Sequence, residues 1–530
     1  MSGFVSFKVL LIGFLRVFSY ECVIDKPIKS LEMILRISSY RLLFVCLISG
    51  FLLACSKSNS DGPAALTSID CEISIVGGGP AGLYMAYQLG PIYKDRVCLF
   101  EKENRLGGRI YDVSKDPQSA NGPYIAVGGR RIMETQVILF DLAKELGITL
   151  ETPAQEKELI YAKGLYSLNP NDFVRLYPGV SFDVSNTSED APTQLLRRLI
   201  KAPQRAQINQ YKDFRSYVTS VLGPNYYEYL RDMSRFRSDY EYALSAKAYL
   251  EFIEEDIDVC CVASYPVGGM SAFIRGLARK AQESGVRIYL EQPVKTINKD
   301  TKHYSLTTSN YRVQSEKVVI AVPPKGFNYI QGDIARAIQA QEQYQSLVGV
   351  NVVTVAQWYD NPWWLGIKDI NNKKVWRAWT TESCINSIEI PQEAYAAKQN
   401  VIRSVYSDRL DCVEKFRELN ARGGALLERE IKKGLEHLFV NNGVTQAVQI
   451  DDATKTFYWE WQDGWYYIRS DYPFSTIDIF NWAVKPLPNE NIALVGESYN
   501  PQRATWSDGA YKSAINLLNT QYGFSISYKK

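Results

Sequence analysis

Histidine is nearly absent from this chain, which has only His303 and His437. A metal site built from several histidines is therefore excluded, and a Ser-His-Asp triad would have to use one of these two. His303 sits in a short alternating stretch and His437 in a helix-like one, both ordinary structural settings. Cysteine is sparse as well: nine in 530 residues, at 22, 46, 55, 71, 98, 260, 261, 384 and 412. None has CxxC spacing, and their density is far from that of a disulfide framework. The six beyond Cys55 read mostly as buried thiols, with the adjacent Cys260 and Cys261 poorly placed to bridge one another. A net excess of either charge is absent too, with 60 basic against 58 acidic residues. The net charge of +2 gives no general pull towards nucleic acid. No internal repeat is present, and no metal-ligand set stands out.

What the chain does have is a globular balance, 46% hydrophobic and 22% charged residues, with length for two domains. Aromatics make up 12%, and many fall in the C-terminal half, as in Trp358-Tyr359 and Trp465-Tyr466-Tyr467. Near the N-terminus, Arg36 and Arg41 precede an apolar run over 42–54 that is shorter than the roughly 20 residues needed to span a bilayer. This pattern predicts a secretory signal, with Met33 as a start of normal length and 1–32 as an upstream extension. The run ends at Leu52-Leu53-Ala54-Cys55, which resembles the lipobox of bacterial lipoproteins. That resemblance implies a lipid on Cys55, a polar tether over Ser56–Ala65 and attachment to the cell-envelope membrane.

Cys71–Val76 is a short β-branched apolar run and predicts a buried parallel strand. Gly77-Gly78-Gly79-Pro80-Ala81-Gly82 follows at once, then a helical stretch over Leu83–Leu89, then a second strand, Arg96–Glu101, ending in an acid. This is the order of a dinucleotide-binding unit. Gly77 makes the tight turn, Gly79 admits the pyrophosphate, and Gly82 lets helix and strand pack closely. The start of the helix, with Pro80 and Ala81, faces the phosphates. Glu101 accepts hydrogen bonds from the adenosine ribose.

The continuation Glu101-Lys102-Glu103-Asn104-Arg105-Leu106-Gly107-Gly108-Arg109 resembles the E-x(3)-R-x-G-G-R signature of the flavin amine oxidase superfamily. By that resemblance Arg105, Gly108 and Arg109 serve the FAD diphosphate, Gly108 by close approach and Arg109 by charge. Further matches follow in the family's order over most of residues 70–520. Tyr265–Met270 is similar to the turn that re-enters the FAD domain. Val294–Ile297 resembles the strand that supplies an adenine contact through Val294. Val318–Pro324 resembles the strand and Pro-Pro exit. Ile492–Glu497 resembles the last FAD strand, with Glu497 towards the ribityl or pyrophosphate side. Trp506–Ala510 resembles the W-x-x-G-A element beside the flavin ring. Ser498–Thr505 has no cysteine where monoamine oxidases tether their flavin, so the FAD is expected to be noncovalent. Many members also place a lysine near flavin N5 to aid oxygen; counting back from Trp363-Trp364 puts Thr354 there.

Val127-Gly128-Gly129-Arg130-Arg131-Ile132 resembles an element of L-amino-acid oxidases whose arginine grips the substrate carboxylate. Arg131 matches that arginine, with Gly129 and Arg130 beside the cofactor. Trp379–Glu382 weakly resembles another element of those oxidases. Trp461–Tyr467 matches the wall over the flavin, with Gly464 and Trp465 as nearest neighbours and Tyr466 next; Trp465 and Tyr466 join Arg131 as candidate catalytic residues. The acidic run Glu254-Glu255-Asp256-Ile257-Asp258 and the basic run Arg197–Lys201 both read as solvated helix faces. The acidic run has a second reading as an attractor of a cationic side chain, and the basic run as a contact to anionic lipid.

The expected architecture is α/β: a Rossmann-like FAD-binding domain of the amine oxidase fold over 68–135, 258–330 and 488–525, and a discontinuous mixed α+β substrate domain over 136–257 and 331–487. The first 67 residues form signal and tether, and 185–257 form a helical insert. The expected activity is FAD-dependent oxidation of an amine, foremost an L-amino acid, with O2 or another electron acceptor. Primary amine or polyamine oxidation, a desaturase-like flavoenzyme and a non-catalytic surface lipoprotein are the rival readings.

Overall fold

The computed structural model describes residues 66–116, 124–154, 157–258, 262–369, 371, 373–391, 400–440 and 448–527. Cys55, the signal, the tether and the Cys260-Cys261 pair lie outside them. Within residues 67–527 two seven-stranded sheets organise the chain.

The first sheet is built on Thr67–Val76, whose last residues are apolar and fully buried. It pairs in parallel with Val97–Phe100 on one side and Tyr311–Ile320 on the other. Arg287–Tyr289 extends one edge in parallel, and Ile492–Leu494 pairs with the end of Tyr311–Ile320. The hairpin strands Tyr304–Thr307 and Thr296–Lys299 complete the other side as antiparallel neighbours. Helices Pro80–Tyr93, Ser271–Glu283 and Asp508–Gln521 pack together against it, burying Met85, Leu89, Phe273, Leu277 and Ile515 with Ile73 and Ile75. Parallel strands covered by helices bury both faces, which explains the near-continuous apolar run in the sequence.

The second sheet has the order Lys455–Ile468, Leu347–Trp358, Val401–Ser407, Ser387–Glu389, Arg377–Thr380, Leu159–Ala162, Leu165–Ser167. It is mostly antiparallel. Helices Ala191–Lys201, Phe214–Val221, Pro224–Asp232 and Ala246–Asp256 cover one face through Val350, Val352, Trp465 and Tyr467. The architecture is therefore α/β with a Rossmann-like sheet, a mixed second sheet and a helical layer.

The cysteine reading needs correction. Cys71 and Cys98 form a disulfide between neighbouring parallel strands, and Cys384 and Cys412 form another. Their sequence separations of 27 and 28 carry no short-spacing signal, because the fold and not the local chain brings each pair together. Among the described residues, the one group with metal-ligand proximity is Cys384, Asp411 and Cys412, and both its sulfurs are used in that disulfide.

Candidate active site

The glycine loop has the geometry that an adenine dinucleotide requires. Gly77 adopts φ +107°, and a Cβ there would stand 2.8 Å from the Ala321 carbonyl oxygen. At Gly82 a Cβ would meet the Gly77 oxygen at 2.0 Å. Gly79 is different: a Cβ there would meet only Gly108 Cα, at 3.9 Å, so its side faces an open lane with Gly108 opposite. Gly79 also caps the helix Pro80–Tyr93 without any side-chain bond to the first-turn amides, leaving those N–H groups for an anion. Glu101 accepts from Gly78 N at 2.7 Å and Glu103 N at 2.9 Å, which fixes its carboxylate at the loop. Arg105 lies over the Tyr111 ring and donates to Gly108 O at 3.1 Å, while its buried Nη1 has no hydrogen-bond partner among the described residues. An open lane, free helix amides and an unsatisfied guanidinium nitrogen fit a pyrophosphate. Val294 is buried beside Phe100, just after Gln292, whose N–H donates to Glu101 O at 2.8 Å.

From this loop a cavity of about 140 Å³ runs towards the second sheet. Pro80, Arg109, Gly129, Glu497, Trp506, Gly464, Trp465, Val352 and Tyr406 are among its lining. The strand Lys455–Ile468 bulges here: Val350 pairs with Trp465 but Val352 with Trp461. The bulge turns the Gly464 carbonyl to Arg109, 3.2 Å away, and a Cβ on Gly464 would come within 2.7 Å of Val352. Arg109 also pairs with Glu497 at 2.6 Å and donates to Ser498 Oγ at 3.1 Å. Arg109 thus lines the cavity with its guanidinium held by these protein acceptors. Glu497 in turn accepts from Tyr466 N and Thr505 N, joining three segments around the cavity. Burial raises its pKa, against the opposing pull of Arg109.

Two further expectations are corrected. Tyr466 does not line the cavity. Side chains alternate along a strand, so Trp465 and Tyr467 face the helical layer while Tyr466 packs on the other side with Tyr499 and Leu347. Its hydroxyl accepts from Lys325 N at 3.0 Å. Arg130 is likewise not among the residues that line the cavity. Its guanidinium is paired with Glu389 and lies over the Tyr265 ring. Thr354 is fully buried on the strand that carries Val352, its hydroxyl without a partner among the described residues. His303 sits in a hairpin turn, its N–H bonded to Asp300, and His437 packs edge-on to Tyr161; neither lines the cavity.

Arg131 belongs to a group that sequence reasoning missed. Glu158 pairs with Arg235 at 2.9 Å and Arg377 at 2.6 Å. Glu389 pairs with Arg130, Arg403 and Arg377, the last at 3.3 Å. Four guanidiniums thus share two carboxylates, with Arg131 as a fifth positive charge beside them. Arg131 itself has no carboxylate within ion-pair distance among the described residues. Burial, and then the like charges of Arg377 and Arg235, lower its pKa to about 10. Glu389 is held well below the usual carboxylate range: burial pushes it up, but Arg130, Arg403 and Arg377 outweigh this. Arg403 lies over the ring of Tyr406, which lines the cavity and feels the charge of Arg131. The group thus adjoins the cavity through Tyr406, and Arg131 itself is not among the residues that line the cavity. Only period-2 alternation in Val401–Ser407 could have pointed to Tyr406, and nothing local marks the glutamates.

A model of the flavin containing amine oxidoreductases matches residues 80–383. Aplysianin-A of Aplysia kurodai is 22% identical over 91% of this chain and 95% of that protein. Putrescine oxidase of Kocuria rosea is 24% identical over 56% of this chain and 66% of its own length. A solved structure of putrescine oxidase bound to putrescine superposes with a TM-score of 0.55 at 15% identity, covering 86% of this chain and all of the other. A double mutant of putrescine oxidase, redesigned in its cofactor binding, gives 0.56. The cofactor is FAD, bound without a covalent tether. The chain belongs to the flavin containing amine oxidoreductase family and is an FAD-dependent amine oxidoreductase.

Proposed function

We propose that the amine oxidised is that of an L-amino acid, with Arg131 holding the α-carboxylate. The observation that carries this reading is the surplus of positive charge behind Tyr406, with Arg131 as its member lacking a carboxylate partner among the described residues. A planar guanidinium binds a carboxylate in two parallel hydrogen bonds and so fixes the Cα–H direction. The FAD held at the glycine loop would supply a hydride acceptor for Cα–H, so that the product imine hydrolyses with water to a keto acid and ammonia and the two electrons and protons end on O2 as hydrogen peroxide. Trp465 and Val352 wall the reacting centre from water. Neither histidine lines the cavity; a histidine base is not needed provided that the substrate amine enters unprotonated.

Oxidation of a primary amine or polyamine is the second reading. It is favoured by the similarity to putrescine oxidase and has no use for Arg131. Anaerobic bleaching of the flavin band by the twenty L-amino acids, putrescine, spermidine and benzylamine separates the two, with peroxide measured in parallel. Bleaching by amino acids supports the proposal, and bleaching by amines alone overturns it. Bleaching without peroxide assigns another electron acceptor. No bleaching of bound FAD moves the assignment to a desaturase-like or non-catalytic protein.

We also propose that the protein is lipid-anchored through Cys55 on the bacterial cell envelope. Two disulfides suit an oxidising compartment outside the cytoplasm. Metabolic labelling with a fatty acid tests this: label lost in Cys55→Ser supports the anchor, and no label in the parent chain rejects it.

A further inference from the structure

We infer that a second cavity, sharing Thr505 and Trp506 with the first, is the subsite for a cationic substrate side chain, which makes the preferred substrate a basic amino acid such as L-lysine. The inference rests on the amino-acid reading above and deepens it.

This cavity has a volume of about 190 Å³ and lies between the helical layer and the strand Lys455–Ile468. Tyr249, Phe252 and Tyr467 form an aromatic side, their rings 5.5–5.7 Å apart and mostly edge-on. Leu196 and Ile253 add aliphatic surface, and Asp239 and Asp256 bring two carboxylates to the lining. That combination matches an alkyl stem ending in an ammonium: apolar contact along the stem, ring faces and carboxylates at the charge.

Among the described residues the hydrogen-bond partners of these carboxylates are neutral. Asp239 accepts from Tyr467 Oη at 2.8 Å and is bonded to Tyr249. Asp256 accepts the Trp506 indole N–H at 2.5 Å. Neither is in an ion pair among the described residues. The charged groups nearest Asp239 are Asp408 and Asp256 themselves. Those facing Asp256 are Arg503, which is already paired with Asp508, and Arg131. Burial and then Asp408 push Asp239 up to about 8. Such a pair is stabilised by an incoming cation and is left desolvated by an apolar side chain; an acidic side chain would be repelled.

The acidic run at the end of the helix Ala246–Asp256 also divides here. Glu254 pairs with Arg205 at 2.6 Å and Asp258 with Arg197 at 2.5 Å, both at the surface. Asp256 alone of these three turns inward, and its indole partner Trp506 is the wall between the two cavities. The cation subsite thus adjoins the first cavity through Thr505 and Trp506.

The test compares L-lysine with L-norleucine, which has the same stem without the ammonium, on the FAD-loaded protein. The expected kcat/KM ratio is about 100-fold in favour of lysine. Asp239→Asn and Asp256→Asn should each collapse that ratio, acting on KM for lysine, whereas a merely structural defect would lower both substrates together. The parent-chain comparison needs no variant, so it stands even if one fails to fold. Equal rates for the two substrates, or a preference for L-glutamate, overturn the cation subsite and leave the amino-acid reading intact. Oxidation of cadaverine with no amino acid oxidised overturns the amino-acid reading instead.

Discussion

Two charged regions of opposite sign adjoin the flavin cavity, and they answer differently to neutral pH. Behind Tyr406, four guanidiniums share Glu158 and Glu389, and Arg131 adds a fifth positive charge. Arg131 is lowered only to about 10, so it keeps its charge at neutral pH and calls for an anion. Beyond Trp506, Asp239 is raised to about 8 and Asp408 to about 6, burial being the first cause of each. That region sheds charge by taking up protons until a cation arrives. A buried arginine cannot neutralise itself and must be paired, whereas a buried aspartate can wait unpaired.

The comparison breaks most severely at Glu389, which is 3% exposed and touches three arginines. Glu389→Gln should destabilise the protein by about 3–5 kcal/mol, because it leaves buried cations uncompensated. Denaturant unfolding measures this, and a loss below about 1 kcal/mol would mean that water already screens the cluster.

Arg131→Met sharpens the contrast from the other direction. With no carboxylate partner of its own in the cluster, Arg131 adds repulsion to it, so the melting temperature should hold or rise. Amino-acid oxidation should nevertheless fall by about 100-fold in kcat/KM, the cost of losing a charged hydrogen-bonding partner. The matching primary amine should lose far less. An equal loss for both substrates would assign Arg131 a structural role.

On the acidic side the probe is pH. Asp239 has a folded pKa of about 8 against an ordinary 3.8, so the folded state binds the proton more tightly than the unfolded one. Its stabilising contribution is complete below pH 3.8 and is lost as pH rises towards 8. The slope is at most about 1.4 kcal/mol per pH unit. Asp239→Asn should flatten the stability profile across that window. Parallel profiles for parent and variant would show Asp239 to be charged throughout.

How far each region could be read in the sequence follows from where its constraints lie. The glycine loop is dictated by its own backbone: Gly77 needs positive φ and Gly82 has no room for a Cβ, so residue identity and local order carry the message. The charge clusters are assembled from distant segments. Glu158, Arg235, Arg377, Glu389 and Arg403 each look like a single charge on a strand or turn, and only the order of the second sheet makes them one group. Asp256 stood in a run whose solvated reading holds for Glu254 and Asp258, and no spacing rule singles out the residue that turns inward. The disulfides failed for the same reason, since Cys71 and Cys98 are neighbours across strands and not along the chain.

Tyr466 offers the smallest and cleanest contrast, within one strand. It follows Trp465 in sequence, yet the alternation of the strand sends Trp465 to the cavity and Tyr466 to the opposite core. The Tyr466 hydroxyl accepts from Lys325 N and bonds Asp463, and burial followed by that carboxylate raises its pKa far above the working range. It stays neutral and has no route to the reacting atoms. Tyr466→Phe should cost about 1 kcal/mol of stability for the lost hydrogen bonds, with the flavin bleaching rate nearly unchanged. Trp465→Phe, a substitution of similar conservatism one residue away, should alter substrate KM while costing little stability, because the indole Nε1 has no partner to lose among the described residues. If the rate effects were reversed, Tyr466 slowing bleaching and Trp465 leaving it alone, the side of the strand that faces the flavin would have to be reassigned.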